Sequence, residues 1–166
     1  MDKIGRLAGV TGSTSFGGIT SYASSPGYRA WGALKSLSYG DNSAQLTLGY
    51  NNRLQTESYL LTKSSTNIIK KDYTYLATGN LGFIDDTLNI GSGGLADSNR
   101  FDRLFIFDHL GRTFQTRTGA EAVGGTDTAN KIPYSENLTY DAFGHTTHIE
   151  GTLWDTSNEP LYAPGY

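Results

Sequence analysis

Apolar and polar residues alternate with a period of two along most of the chain, and short stretches rich in Gly, Asn and Asp separate the alternating runs. Leu46, Leu48 and Tyr50, for example, mark one side of a run that ends at Asn51-Asn52, where a second run begins. Such a period places successive side chains on opposite faces of a strand, and two runs joined by a short Asn-rich connection are typical of a β-hairpin. The pattern therefore predicts an all-β fold, a curved antiparallel sheet of about eight to ten strands built from successive hairpins.

The clarity of the alternation divides the chain into three parts. Residues 1–30 contain part of a repeat and a segment rich in Gly, Ser, Thr and Tyr, which we expect to be irregular or to form short edge strands. Residues 31–154 form the hairpin domain; within it, residues 92–94 open a loop and residues 119–133 form a long polar connection with a short helix near residues 120–123. Residues 155–166 are predicted to be a C-terminal tail.

The predicted turns share a loose repeat, which runs aromatic residue, Asp, two variable residues, Gly, and then a polar residue. Its clearest copies are residues 140–146 and 107–113; the copy at residues 2–7 lacks the aromatic, the copy at 50–54 is shortened and the copy at 75–81 is degenerate. The repeat assigns structural roles to the aromatics Tyr50, Tyr75, Phe107 and Tyr140, the turn caps Asp2, Asp108 and Asp141, the turn glycines Gly5, Gly79, Gly111 and Gly144, and the basic residues Arg6, Arg53 and Arg112.

Each position of the repeat has a physical reason. The aromatic ring can stack on the neighbouring hairpin, and the Asp carboxylate can accept backbone N–H groups of its own turn. Glycine supplies a positive φ at little steric cost, and the Arg or His that follows it can reach a carboxylate or a carbonyl. Because a single hairpin is marginally stable, such units must line up in a larger sheet.

The scheme resembles the YD repeat of bacterial Rhs proteins, which are related to the shells of toxin complexes and to teneurins. Residues 31–35, 100–103 and 118–122 are also similar to Rhs sequences. The resemblance implies a strip of hairpins in a spiralling sheet, which in full-length relatives closes into a hollow shell around a C-terminal toxin. It does not extend to autoproteolysis, because the chain has no Asp-Pro dipeptide, nor to a toxin domain.

Two alternatives follow from the resemblance: a fragment of a longer shell, or a small protein that reuses the strip. In the second case the open strand edges need a partner, since unpaired strands invite pairing. The expected partners are other copies of the chain, in a filament for example, or the rest of a YD-repeat shell. We expect the parent protein to be secreted or to lie at the cell surface, although the N-terminus shows no signal peptide.

Composition narrows the functional classes. The net charge of −3 gives no support for a nucleic-acid groove. The absence of cysteine excludes disulfides and thiol catalysis, and no apolar run is long enough to predict membrane insertion. His145 and His148 would face opposite sides of a strand, and His109 is distant in sequence, so we predict no metal site and no cofactor. The remaining carboxylates are those of Asp85, Asp86, Asp102 and Glu150, and their spacing does not pair them for acid–base catalysis. We therefore predict no catalytic residue and a protein that is not an enzyme.

An aromatic β face offers a second function, the binding of a glycan at a cell surface by stacking of rings on sugars. A saturable ligand would distinguish this binding module from a structural element, and a cleft with converging carboxylates would indicate an enzyme. The alternative explanation of the same rings is packing between hairpins. The candidate sugar-stacking residues are Trp31, Tyr39, Tyr59 and Tyr73, with Tyr50 and Tyr75 beside them.

Overall fold

Residues 1–87, 101–125, 133–154 and 160–163 are described by a computed structural model of the chain. Within these ranges the structure is all-β apart from 3-10 conformation at Phe101 and in the helix Gly119–Val123. The paired strands are antiparallel and follow chain order. The prediction of an all-β fold made of successive antiparallel hairpins is therefore confirmed. The predicted number of eight to ten strands is too low, because these ranges contain twelve. The chain forms two units, Met1–Lys71 and Asp72–Tyr166, and the boundary falls within strand β6 (Thr66–Tyr75).

The first unit contains five further strands, each paired with the next along the chain. The direct pairs Leu37–Leu46 and Leu46–Leu61 put these leucines on one face, where Leu37, Leu46 and Ala23 are buried. The opposite face carries mainly polar side chains, such as Ser38, Gln45 and Thr62, with Leu60 as an apolar exception. The strands are β1 (Val10–Phe16), β2 (Ile19–Tyr28), β3 (Leu34–Tyr39), β4 (Ala44–Tyr50) and β5 (Thr56–Lys63).

The turn between β3 and β4 also holds strand β2. The carboxylate of Asp41 accepts the backbone N–H of Ser21 at 2.8 Å and that of Thr20 at 3.1 Å. The hydrogen bond from Ser21, followed by that from Thr20, lowers the pKa of Asp41 from its ordinary value. Asp41 thus ties the start of β2 to a turn about 20 residues later in the sequence.

The second unit also pairs each strand with the next. Asp102, 2% exposed, joins the end of β7 to the 3-10 helix. Its carboxylate accepts the N–H of Asp86 at 2.8 Å, and its carbonyl accepts the N–H of Gly119 at 3.0 Å. The strands are β7 (Leu81–Asp86), β8 (Arg103–Phe107), β9 (Thr113–Thr118), β10 (Tyr134–Tyr140), β11 (Thr146–Trp154) and β12 (Pro160–Ala163).

Two stretches differ from their sequence-based description. Residues 10–28, expected to be irregular or to form short edge strands, form the regular hairpin β1–β2, in which β1 is an edge strand within the described residues. Gly17 and Gly18 adopt the positive φ values of +59° and +83° that the tight connection needs. Residues 160–163, expected to belong to a tail, pair with β11. Pro160 is the first residue of β12, a position that tolerates proline. The predicted loop at residues 92–94 lies outside the described residues.

Candidate functional site

Six turns within the described ranges close with the same pair of backbone hydrogen bonds. The N–H of the first turn residue donates to the carbonyl four residues later at 2.7–3.0 Å, and the N–H three residues later donates back to its carbonyl at 2.9–3.2 Å. This arrangement is a hairpin connection in which one residue has left-handed backbone conformation. The first residues of these turns are Asp2, Arg29, Asn51, Leu76, Asp108 and Asp141.

The left-handed position explains the glycine of the repeat. At this position Gly111 has a φ of +81° and Gly144 a φ of +89°, and neither has a backbone atom near its missing Cβ. Glycine is therefore favoured here by backbone conformation and not by lack of space. Gly5, Gly32 and Gly79 occupy the same position with φ between +83° and +94°.

The Asp carboxylate organises its own turn. In the Asp108 turn, Oδ1 accepts the backbone N–H groups of Leu110 and Arg112, both at 2.9 Å, and Oδ2 accepts the Nε–H of Arg112 at 2.7 Å. Asp2 makes the same three contacts with Ile4 and Arg6, at 3.0, 2.9 and 2.7 Å.

The last turn keeps this scheme with histidine in place of arginine. Oδ1 of Asp141 accepts the N–H of Phe143 at 2.9 Å and that of His145 at 2.8 Å, and Nδ1 of His145 lies 3.0 Å from Oδ2. The Asp–Arg and Asp–His pairs therefore occupy one structural position.

These hydrogen bonds set the electrostatics of the turns. The backbone N–H and then the guanidinium of Arg6 lower the pKa of Asp2 from its ordinary value, and the side chain and then the backbone N–H of His145 do the same for Asp141. Partial burial acts to raise the pKa of Asp108, but the backbone N–H and guanidinium of Arg112 outweigh it and the pKa is lowered.

We expect acid to destabilise the fold through these carboxylates. A carboxylate with a depressed pKa in the folded state stabilises the fold above its unfolded pKa of about 4 and loses that contribution as pH falls through the folded value. Thermal melts from pH 7 down to pH 2 should show the melting temperature falling below about pH 4. The fall should be smaller for Asp108→Asn than for wild type. Glu150→Gln is the control, because Glu150 is exposed and has no side-chain partner within the described residues. Identical pH profiles for wild type and Asp108→Asn would contradict the assignment.

In the two turns that have an Asp–Arg pair, the Arg contacts the aromatic residue of the next turn. The guanidinium carbon of Arg112 lies 4.4 Å from the ring centroid of Tyr140, and that of Arg6 lies 4.3 Å from the ring centroid of Tyr28. The Arg that pairs with Asp inside one turn therefore stacks on the aromatic residue that leads the next turn, a favourable cation–π geometry.

The tyrosine hydroxyls add a second contact between turns. Tyr140 donates to the carbonyl of Thr113 at 2.5 Å, Tyr28 to that of Leu7 at 2.8 Å and Tyr50 to that of Leu34 at 2.6 Å. In each case the acceptor is the second residue after the left-handed position of the preceding turn. We call this recurring set of contacts the Asp–Arg–Tyr ladder: Asp to Arg within a turn, and Arg and backbone to Tyr of the next.

Removing one ladder hydroxyl gives a direct test. We expect Tyr140→Phe to lower the free energy of unfolding by about 1 kcal/mol, because the Thr113 carbonyl loses its donor while the ring stays on Arg112. Urea unfolding measures the change. Tyr39→Phe is the matched control, since the Tyr39 hydroxyl has no partner within the described residues and should be neutral. If both substitutions changed the free energy of unfolding equally, the ladder hydrogen bond would not be a source of stability.

The turn led by Tyr50 shows that the scheme does not need a charge. Oδ1 of Asn51 accepts the N–H groups of Arg53 and Gln55 at 2.9 and 3.0 Å, and Nδ2 of Asn51 donates to Oε1 of Gln55 at 3.1 Å. An Asn–Gln pair thus replaces Asp–Arg. The copy is full length and not shortened: Leu54 holds the left-handed position with φ +64°, and Arg53, predicted to be the basic residue of the repeat, lies at the second variable position.

Sequence reasoning missed one copy altogether. Tyr28 leads a turn in which Arg29 stands where the repeat has Asp, and Gly32 has a φ of +94°. The signal that could have found it is an aromatic followed four residues later by glycine, without any requirement for Asp. The Tyr75 copy similarly has Leu76 at the Asp position and Gly79 at the left-handed position.

The candidate sugar-stacking residues occupy different surroundings. Trp31 is 47% exposed and meets the ring of Tyr50 edge-on at 5.7 Å, while Tyr39 is 36% exposed. Tyr59 packs against the buried cluster of Ala23, Leu37 and Leu46. Tyr73 is partly buried and is also in contact with a partner.

No group of three His, Asp or Glu side chains that could hold a metal ion occurs among the described residues. In the same ranges no helix is long and apolar enough to cross a membrane. Asn137, the first residue of a formal glycosylation sequon, lies on β10, where its Oδ1 accepts Nε2–H of Gln115 at 2.6 Å.

Comparison with known proteins adds the fold relationship. No protein-family model matches the chain, and the curated proteins contain no match. The chain is similar to a structure of the Photorhabdus luminescens Tc holotoxin pore with a mutant TccC3, with a TM-score of 0.68 and 17% identity, and to the crystal structure of TcdB2-TccC3-TEV, with a TM-score of 0.60 and 18% identity. In both cases 89% of this chain is covered, and it spans only 8% of the matched chain. The hairpin sheet with its ladder of turns is therefore similar in fold to a small part of chains from Tc toxin structures.

Proposed function

We propose that the chain is a structural segment of the YD-repeat type, forming part of a shell wall or assembling with further copies through its strand edges. The Asp–Arg–Tyr ladder is the observation that carries the proposal. In the ladder, polar side chains join one turn to the next, at Arg6–Tyr28 and Arg112–Tyr140. In an enzyme, such groups would instead contact a substrate.

The small amount of buried apolar surface supports the same function. The apolar side chains buried in the described residues are Ala23, Leu37, Leu46, Ala120 and Ala122, whereas large side chains such as Val10, Trp31 and Phe143 are 43%, 47% and 87% exposed. A sheet with so few buried apolar residues draws its stability from hydrogen bonds and turn contacts, and it has apolar surface to offer to neighbouring chains. The Tc toxin relatives are consistent with a structural role for this fold.

A structural segment of this type needs a partner for its strand edges. The expected partner is the remainder of a YD-repeat shell or a second copy of the chain, in a parent protein that is secreted or displayed at the cell surface. The proposal assigns no catalytic step and no cofactor. Glycan binding by Trp31, Tyr39, Tyr59 and Tyr73 is less favoured, because Tyr59 and Trp31 are engaged in packing and ring contacts.

Measurement of the assembly state tests the proposal. Light scattering after gel filtration, with electron microscopy of the same fractions, should show particles larger than the 18.0 kDa chain, and their share should rise with concentration. In the described part of the chain β1 pairs only with β2, which makes it an edge strand. The double substitution Thr11→Lys with Ser13→Lys should reduce assembly, because lysines on an edge oppose pairing.

A matched control uses the same charges on an inner strand. Gln45 and Thr47 are exposed on β4, which has neighbours on both sides, so Gln45→Lys with Thr47→Lys should leave assembly unchanged. A monomer at every concentration, or equal loss of assembly in both double variants, would contradict association through this edge.

A further inference from the structure

A groove runs along strand β9 on one face of the second unit. Arg103 pairs with Thr118 and Phe105 with Thr116 across β8 and β9, and these threonines pair with Tyr134 and Glu136 across β9 and β10. Directly paired residues share a face, so small side chains on the middle strand lie between large ones on both sides. The result is a cavity of about 430 Å³ with a floor of Thr116 and Thr118.

The walls of this groove combine rings with free polar groups. Each wall has one aromatic ring and one charged group: Phe105 and Arg103 on β8, Tyr134 and Glu136 on β10. Within the described ranges the side chains of Arg103 and Glu136 make no ion pair and no hydrogen bond. They are therefore available to an outside group that both donates and accepts hydrogen bonds.

Gly151 on β11 leaves room for the Tyr134 ring. A Cβ at residue 151 would lie 3.1 Å from the Tyr134 hydroxyl oxygen and 3.4 Å from Cε2, so the ring edge covers the glycine. Burial, and then the negative charge of Glu136, raises the pKa of Tyr134 from its ordinary value. The ring and the Glu136 carboxylate together line this wall of the groove.

We propose that this groove binds a neutral sugar ring of a glycan. A pyranose presents an apolar C–H face to Tyr134 or Phe105, while its hydroxyls donate to Glu136 and accept from Arg103. The two walls stand about 10 Å apart, two strand spacings, which leaves room for one ring between the side chains. The opposite charges of Arg103 and Glu136 balance, which favours a ligand without net charge.

A peptide strand suits the groove less well. Extended peptides bind by adding to a sheet edge, where backbone groups are free. The strand that forms this floor, β9, is paired with β8 on one side and β10 on the other. Recognition must therefore come from side chains, which is the mode that polyhydroxyl ligands use.

Sugar binding by the groove is independent of the proposed structural function, since the groove and the Asp–Arg–Tyr ladder share no residue.

The full chain would be titrated with methyl β-glucoside, methyl β-galactoside, methyl α-mannoside and N-acetylglucosamine, with saturation-transfer NMR detecting contact with each sugar. At least one sugar should show saturable transfer. For that sugar, Glu136→Gln and Tyr134→Ala should each weaken binding at least about tenfold.

Further variants keep the test decisive if Tyr134→Ala fails to fold. Tyr134→Phe preserves the ring and should retain binding by stacking, whereas Thr116→Leu fills the floor and should abolish it. Tyr39→Ala, an exposed tyrosine of the other unit, is the matched control and should bind as wild type. Lack of transfer to every sugar at about 10 mM, or binding unaffected by Glu136→Gln and Thr116→Leu, would overturn the proposal. So would binding lost only in Tyr39→Ala.

Discussion

Replacing Gly144 by valine should lower the free energy of unfolding by about 2–3 kcal/mol, because a β-branched residue is forced into left-handed conformation at φ +89°. Space is not the cause, since the nearest atom to a Cβ at this position, Nη1 of Arg112, lies 3.8 Å away. Gly144→Ala should cost about half as much, because alanine lacks the branched carbon. Urea unfolding monitored by tyrosine and tryptophan fluorescence measures both values.

Ala142→Val in the same turn is the matched control. Ala142 is exposed and its φ is not positive, so the added methyl groups should change stability by less than about 0.5 kcal/mol. If Gly144→Val were as stable as Ala142→Val, the conformational explanation of the turn glycine would be wrong.

The reverse substitution should stabilise the protein. Leu54 occupies the left-handed position of its turn with φ +64° and is 54% exposed, so Leu54→Gly relieves backbone strain while losing little buried surface. The relief of about 1–2 kcal/mol exceeds the extra chain entropy of glycine, and we expect a net gain of about 0.5–1 kcal/mol. A higher urea midpoint with an unchanged slope is the expected observation.

The same chemical change elsewhere should have the opposite sign. Leu110 is 65% exposed and lies at the second variable position of the Asp108 turn, where φ is not positive. Leu110→Gly should therefore lose about 0.5–1 kcal/mol through chain entropy alone. Destabilisation by both glycine substitutions would mean that Leu54 contributes packing greater than its backbone strain.

Those features of the turns that depend on residues within one hairpin could be predicted from the sequence. The Asp108 and Asp141 turns were recognised because carboxylate, glycine and the next polar residue lie within five positions of one another. The Asn51 turn was only half recognised, since Asn51 and Gln55 reproduce the hydrogen bonds of Asp and Arg without their charges. The Arg29 turn was missed because its backbone closes around left-handed Gly32 without a carboxylate at the first turn position.

Features that depend on strand register could not be predicted. The contact of Arg112 with Tyr140 joins residues 28 positions apart, and no local pattern specifies it. The groove likewise exists only because Thr116 and Thr118 pair with larger residues on both neighbouring strands. The all-β class, in contrast, follows from alternation alone, which explains why it was predicted and the groove was not.

Contacts with the next turn are made by the Asp2 and Arg29 turns in the first unit and by the Asp108 turn in the second. Each unit is therefore expected to open hairpin by hairpin and not all at once. The stability of such an arrangement is a sum of the stabilities of single hairpins and of the contacts between neighbouring hairpins, as in repeat proteins. Amide hydrogen exchange should then rise stepwise from inner hairpins to outer ones, with the boundaries of each step at the turns. Loss of the contact between Arg112 and Tyr140 would let the chain open locally within the second unit. A single substitution there would then expose one hairpin to proteolysis while its neighbours stay folded.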